Sequence, residues 1–186
     1  MSISQDLDSR FRTAAAAEGL LDVGFDVVDS PIGPLLVAAT GRGLCRIWFK
    51  PDVEEQLDEL ARLHGPRVLR SGAAVEGAHR QLDEYFDGRR ESFELDVDLG
   101  ASAPFARSVL TELALVPYGR TTTYGALAAQ VGAPRAARAV GMVMNRNPLP
   151  IVLPCHRVVG SNGSLTGYAG GLETKERLLR LEGALL

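Results

Sequence analysis

Between Leu21 and Phe49 the apolar residues come in short, β-rich runs separated by turn residues. Phe25–Val28, Leu35–Ala39 and Leu44–Phe49 are divided by Ser30-Pro31-Ile32-Gly33-Pro34 and by Gly41-Arg42-Gly43, which predicts two or three antiparallel strands. The period then lengthens. Val53, Leu57, Leu60 and Ala61 mark one helix over 53–63, and Ala78, Leu82 and Tyr85 mark a second over 75–86. Ser92–Val97 alternates and reads as one more strand, and Gly100-Ala101-Ser102-Ala103 is a small-residue boundary. Residues 1–20, with the tract Ala14–Ala17, read as a frayed or flexible lead-in. Domains are thus expected over 21–100 and 101–186.

The second half is patterned as helices. Phe105, Val109, Leu113 and Val116 form one face of a helix that Pro117-Tyr118-Gly119 stops. A short helix over 124–131, capped by Thr122 or Thr123, leads through Gly132-Ala133 to a segment ending at Asn145, with Pro134 placed for its first helical position. Two short helices joined by a glycine turn predict a helix-turn-helix. At 100° per residue, Ala137, Val140, Gly141 and Met144 share one side of the second helix, and Arg135, Arg138, Met142 and Asn145 share the other. The class is α/β (α+β): an N-terminal antiparallel sheet with helices, then a mainly helical domain.

Charge sharpens this division. Residues 1–100 carry 11 Lys/Arg against 19 Asp/Glu, whereas residues 101–186 carry 9 against 4. A basic, arginine-faced second half suits a polyanion, since arginines meet phosphates and base edges. No apolar run escapes interruption by charge, so no membrane span is expected, and the acidic start MSISQDLDSR does not read as a signal peptide. Cys45 and Cys155 lie far apart, which suits reduced thiols in a cytoplasmic setting. With His64, His79 and His156 they give no zinc-ligand spacing, so neither metal nor cofactor is expected.

The chemistry concentrates in IVLPCHRVVG. Cys155 and His156 follow the strand-like run Ile151-Val152-Leu153. A free thiol is mostly protonated at neutral pH, and only its thiolate is a strong nucleophile, so an adjacent base changes what the residue can do. A free cysteine is otherwise a small core hydrophobe, the reading that fits Cys45.

The stretches VPYGRTTTYGALAAQVGAPRAARAVG, NRNPLPIVLPCHRVVGSNG and LTGYAGGLETKERLLRLEG, in that order, resemble the catalytic domain of the O6-alkylguanine-DNA alkyltransferases over residues 104–186. SPIGPLLVA resembles that family's N-terminal domain more loosely. The resemblance implies repair by direct reversal. Cys155 would irreversibly accept the alkyl group from O6-alkylguanine, and from O4-alkylthymine, in double-stranded DNA. His156 would act as base through a bridging water, with Glu182 orienting it. Arg138 would fill the stack vacated by a flipped base, with Arg135 and Met142 beside it on the DNA side. Tyr124 would protonate the leaving guanine, and Asn147 would be the hinge before the active-site segment. Val158, Tyr168, Ala169 and Gly170 would wall the pocket. Ala169 stands where some members carry serine, and Arg120 where an acidic residue is common. The partner implied is alkylated DNA bound by a monomer, with cooperative assembly on DNA left open.

Three other readings compete. A lesion-recognition protein without transfer would lack the acceptor cysteine. A helix-turn-helix regulator would need a dimerisation segment, which the chain does not display. A cysteine hydrolase would need an oxyanion site, for which only Gly160 and Gly163 offer themselves.

Overall fold

The computed structural model describes residues 10, 14, 18–100 and 102–185. The expected lead-in over 1–20 therefore lies largely outside the described residues. Backbone proximity groups the chain into two units, one running to Asp83 and including Glu94–Asp98, the other comprising Glu84–Phe93 and Leu99 onward.

In the first unit, β1 (Val23–Val28), β2 (Leu35–Thr40) and β3 (Gly43–Phe49) are antiparallel strands, three where two or three were expected. After α1 (Val53–His64), a three-residue strand β4 (Val68–Arg70) adds parallel to β1, giving the order β3-β2-β1-β4. Asp52 caps α1 by accepting from the Glu55 amide. Val23, Phe25, Leu36, Ala38, Cys45 and Leu60 form the core, with Trp48 and Leu57 packed on it. Cys45 is core filler, its thiol donating to the Ala38 carbonyl and pushed up to about 12 by burial.

Ser92–Val97 is not a strand. Only Leu44 and Val97 bridge, through Leu44 N–H to Asp96 O and Asp98 N–H to Leu44 O, both 2.8 Å. The Gln81 side chain explains why pairing goes no further. It donates to Glu94 O at 2.9 Å and accepts from Glu94 N–H at 2.8 Å, taking the place of a neighbouring strand. Gln81 stands on α2 (Gly72–Phe86), whose last turn belongs to the second unit.

The second unit contains α3 (Pro104–Ala114), α4 (Tyr124–Gln130), α5 (Ala137–Asn145) and α6 (Leu172–Leu181). A small parallel pair joins β5 (Thr122–Thr123) to β6 (Val158–Val159). The Thr123 hydroxyl caps α4, accepting from Ala126 N–H at 3.1 Å. Pro134 does not begin the next helix. The turn Ala133–Ala136 closes on itself at 2.8 Å, and the first helical bond of α5 ends on the Ala136 carbonyl. Arg135 consequently precedes α5 rather than riding on it. The helical phase holds otherwise: Val140 and Met144 are buried, while Arg138, Met142 and Asn145 are exposed.

Candidate active site

Cys155 is delivered by a buried turn rather than by the expected strand. Pro148, Pro150 and Pro154 cannot donate to a ladder, and Ile151 adopts φ 76°. That conformation is an outlier for a β-branched residue and costs about 1–3 kcal/mol, which the packing around it must offset. Ile151 is fully buried, and Leu153 N–H closes the turn on Leu149 O at 2.8 Å. Asn147 braces the loop from inside, its amide donating to Leu153 O at 2.7 Å and its oxygen accepting from Leu149 N–H at 3.1 Å. A single 3₁₀ turn, Cys155–Arg157, then leads into β6.

That turn aims three side chains inward. Cys155 is 5 % exposed and His156 fully buried. Burial pushes the Cys155 thiol up to about 11, against the opposing pull of the Asn147 amide and the Lys175 cation. Burial also lowers His156 below its ordinary value, with the Glu182 hydrogen bond pulling the other way. The resting pair is therefore a thiol and a neutral imidazole. Glu182, the C-terminal cap of α6, meets His156 Nε2 through Oε1 at 2.8 Å. Its carboxylate acceptor assigns the proton to Nε2 and leaves the Nδ1 lone pair, which has no protein partner, as the basic nitrogen.

Three residues that sequence reasoning did not select complete the network. Arg157 donates from Nε to Glu182 Oε2 and from Nη2 to Glu182 Oε1, both at 2.9 Å, and from Nη1 to Val116 O at 2.6 Å. The Tyr85 hydroxyl donates to Glu182 Oε1 at 2.7 Å. Lys175, fully buried, donates to Val158 O at 2.5 Å and to Thr166 O at 2.9 Å. Burial works to raise the Glu182 carboxyl, but the His156 and Arg157 hydrogen bonds overcome it and hold the group at about 2. Arg157 is thus the buried cation that faces the Glu182 carboxylate, whereas Lys175 is held by two carbonyls and acts electrostatically on Cys155.

The remaining expected residues divide between this network and the surface. Tyr168 stands edge-on to His156 at 6.4 Å between ring centres. Val158 is buried, Gly170 half-buried and Ala169 exposed. Tyr124 shares a hydrogen bond of 3.0 Å with the Thr166 hydroxyl and lies against Gly141 of α5. Arg135, Arg138 and Met142 are exposed and take no part in the buried network. Among the described residues, no cluster of His, Cys, Asp and Glu could hold a metal ion, and no helix is long and apolar enough to cross a membrane.

The buried groups set an acid limit on stability. Above the unfolded carboxyl's 4.5 the Glu182 contribution is complete, and it is lost as pH falls toward about 2, where the folded group also takes its proton. His156 acts in the same sense: below 6.5 the unfolded chain binds a proton that the folded state resists. Urea midpoints are expected to fall steadily as pH drops from neutral, with the lower part of that fall flattened in Glu182→Gln. Midpoints independent of pH would contradict this electrostatic account.

Comparison with known proteins places the arrangement. Residues 24–99 match the family described as 6-O-methylguanine DNA methyltransferase, ribonuclease-like domain, and residues 104–184 match its DNA binding domain. The chain belongs to the 6-O-methylguanine DNA methyltransferase family. A methylated-DNA–protein-cysteine methyltransferase of Methanosarcina barkeri is 44 % identical over 85 % of this chain and 96 % of that protein. The protein of the same name from Mycobacterium tuberculosis is 42 % identical over 86 % of this chain and 92 % of its own. The crystal structure of Mycobacterium tuberculosis OGT in complex with DNA superposes with a TM-score of 0.76 at 40 % identity, covering 87 % of this chain and 93 % of that one. Among these residues the geometry joins His156 to Glu182, with Arg157 and Tyr85 holding the carboxylate, and Cys155 stands next to His156 in the same buried turn.

Proposed function

We propose that this protein repairs DNA by direct reversal, moving the alkyl group of O6-alkylguanine irreversibly to the Cys155 sulfur. The observation that carries the reading is a buried, protonated Cys155 thiol followed in the same turn by a buried, neutral His156 whose Nε2 is tied to the Glu182 carboxylate. The relatives' name supports transfer to a cysteine, and the DNA complex of the Mycobacterium tuberculosis relative supports DNA as partner. Retention of the acceptor thiol separates this reading from a protein that recognises the lesion without removing it.

In the step itself, His156 Nδ1 takes the thiol proton through a bridging water. The thiolate attacks the alkyl carbon, so an S–C bond forms as the C–O bond to guanine breaks. Tyr124 gives its hydroxyl proton to the departing guanine ring, which leaves as a neutral base. Lys175 steadies the thiolate while the imidazolium rests on Glu182, which Arg157 holds in place. The thioether has no leaving tendency, so each molecule acts once.

Guanine O6 is inaccessible to a buried thiol while the base is stacked, so the base must turn out of the duplex. The two-helix segment α4–α5 acts as the helix-turn-helix, with Arg138 entering the stack and Arg135 and Met142 on the DNA-facing side. Val158, Tyr168, Ala169 and Gly170 wall the pocket. Arg138→Ala is expected to slow repair of a duplex about tenfold or more, because the vacated stack goes unfilled. Demethylation of the free base should be little affected. Equal losses on both substrates would remove the stack-filling role.

The function is tested by incubating the protein with a duplex containing a single O6-methylguanine and counting restored guanines. One per protein molecule, without further turnover, is the expected result, and Cys155→Ser should restore none. Many restorations per molecule, or undiminished repair by Cys155→Ser, would overturn the reading.

A further inference from the structure

Glu182 is more heavily engaged than an orienting carboxylate needs to be. It is 4 % exposed, and an unpaired carboxylate at that depth would cost several kcal/mol. Arg157 grips both oxygens and fixes the plane of the carboxylate. Gly119 N–H approaches Oε2 at 3.4 Å. Oε1 carries the rest: Arg157 Nη2, the Tyr85 hydroxyl and His156 Nε2.

Tyr85 is itself immobilised. It is fully buried, with Phe86, Phe93 and Tyr118 rings centred 5.3, 5.5 and 6.1 Å away. The Arg157 guanidinium lies over the Tyr118 ring at 5.8 Å, so aromatic surface seals the ion pair from water. Burial and the facing Glu182 charge raise Tyr85 far above an ordinary phenol, so its hydroxyl is always a donor here.

We propose that Tyr85 is a positioning residue for alkyl transfer, acting on His156 through the Glu182 oxygen that the two share. This rests on the alkyl-transfer reading above. A carboxylate oxygen has two lone-pair directions in its plane, and a fixed donor in one of them steers the imidazole to the space that remains. The Tyr85 bond also draws charge from Oε1. It thereby limits how strongly Glu182 stabilises an imidazolium and keeps His156 neutral, ready to accept a proton. The charged and titratable groups facing His156 are Glu182 at the C-cap of α6, Lys175 on α6, Arg157 from its own turn, and Tyr168 from the following loop. Tyr85 adjusts the balance through Glu182.

The test is the pH profile of single-turnover methyl transfer by Tyr85→Phe, which removes one oxygen and leaves the ring in place. With the hydroxyl gone, Glu182 becomes the stronger acceptor and His156 the stronger base. The acid limb of the profile is then expected to move to higher pH, whatever the change in the alkaline plateau. The ¹⁵N shifts of the His156 ring should report the same displacement directly. A tyrosine with only a packing role would lower the rate or the melting temperature evenly, without moving the limb, and that result would overturn the proposal. Should Tyr85→Phe fold poorly, Tyr85→3-fluorotyrosine strengthens the donor, and the limb must then move to lower pH; an unmoved limb there counts equally against the idea. If wild type transfers no methyl, the alkyl-transfer reading fails instead.

Discussion

Exchanging His156 for glutamine is expected to slow methyl transfer at neutral pH by about 10²–10⁴-fold, the usual contribution of a positioned general base. Glutamine fills much of the same space and can still donate to Glu182, so the variant removes the lone pair at Nδ1 more than it disturbs packing. Burial holds the Cys155 thiol at about 11, and without its base the nucleophile exists only as the small fraction ionised at that value. Raising the pH toward 11 refills that fraction, so the variant's rate should climb through the alkaline range where the wild type is already level. Stopped-flow or quench measurements against a methylated duplex read both curves. A variant slowed equally at every pH would mean that His156 supports the site without taking the proton.

The second large effect concerns folding. Arg157→Met should cost about 3–5 kcal/mol of stability, because removing one partner of a buried ion pair leaves the other charge uncompensated. Glu182 would retain only its weaker donors, and Val116 O would lose a bond of 2.6 Å. Neutralising both partners removes the stranded charge, so Arg157→Met combined with Glu182→Gln should be more stable than Arg157→Met alone. Arg157→Lys should fall between, since lysine keeps the charge but not the fork that reaches both carboxylate oxygens. Urea unfolding of the single and double variants forms the cycle. A double variant no better than Arg157→Met would contradict the electrostatic origin of the loss.

Much of this was legible in the sequence where the controlling interactions are local. The three antiparallel strands follow from turn residues, and the exposed face of α5 follows from helical phase. What escaped was set by distant partners. Nothing near Ser92–Val97 announces that Gln81 will occupy Glu94, and β4 at three residues is too short for alternation to register. Pro134 suits a first helical position on local grounds, yet the Ala133–Ala136 turn claims it. Tyr85 looked like one apolar mark on a helix, because its partner lies 97 residues away. Lys175 carried a readable signal: it falls on the same stripe of α6 as the buried Leu178 and Leu179, where a lysine needs internal acceptors. Arg157 sat inside the motif that drew attention to Cys155 and His156, but its need for a buried carboxylate appears only in three dimensions.

The central claim is that Cys155 alone accepts the alkyl group. Tandem mass spectrometry of the protein digested after one equivalent of O6-methylguanine duplex tests it most directly, because the two cysteines fall in well-separated stretches of the sequence. One added methyl is expected on Cys155 and none on Cys45, whose thiol is buried in the other unit and held at about 12. A methyl on Cys45, or repaired DNA with both cysteines unmodified, would contradict it.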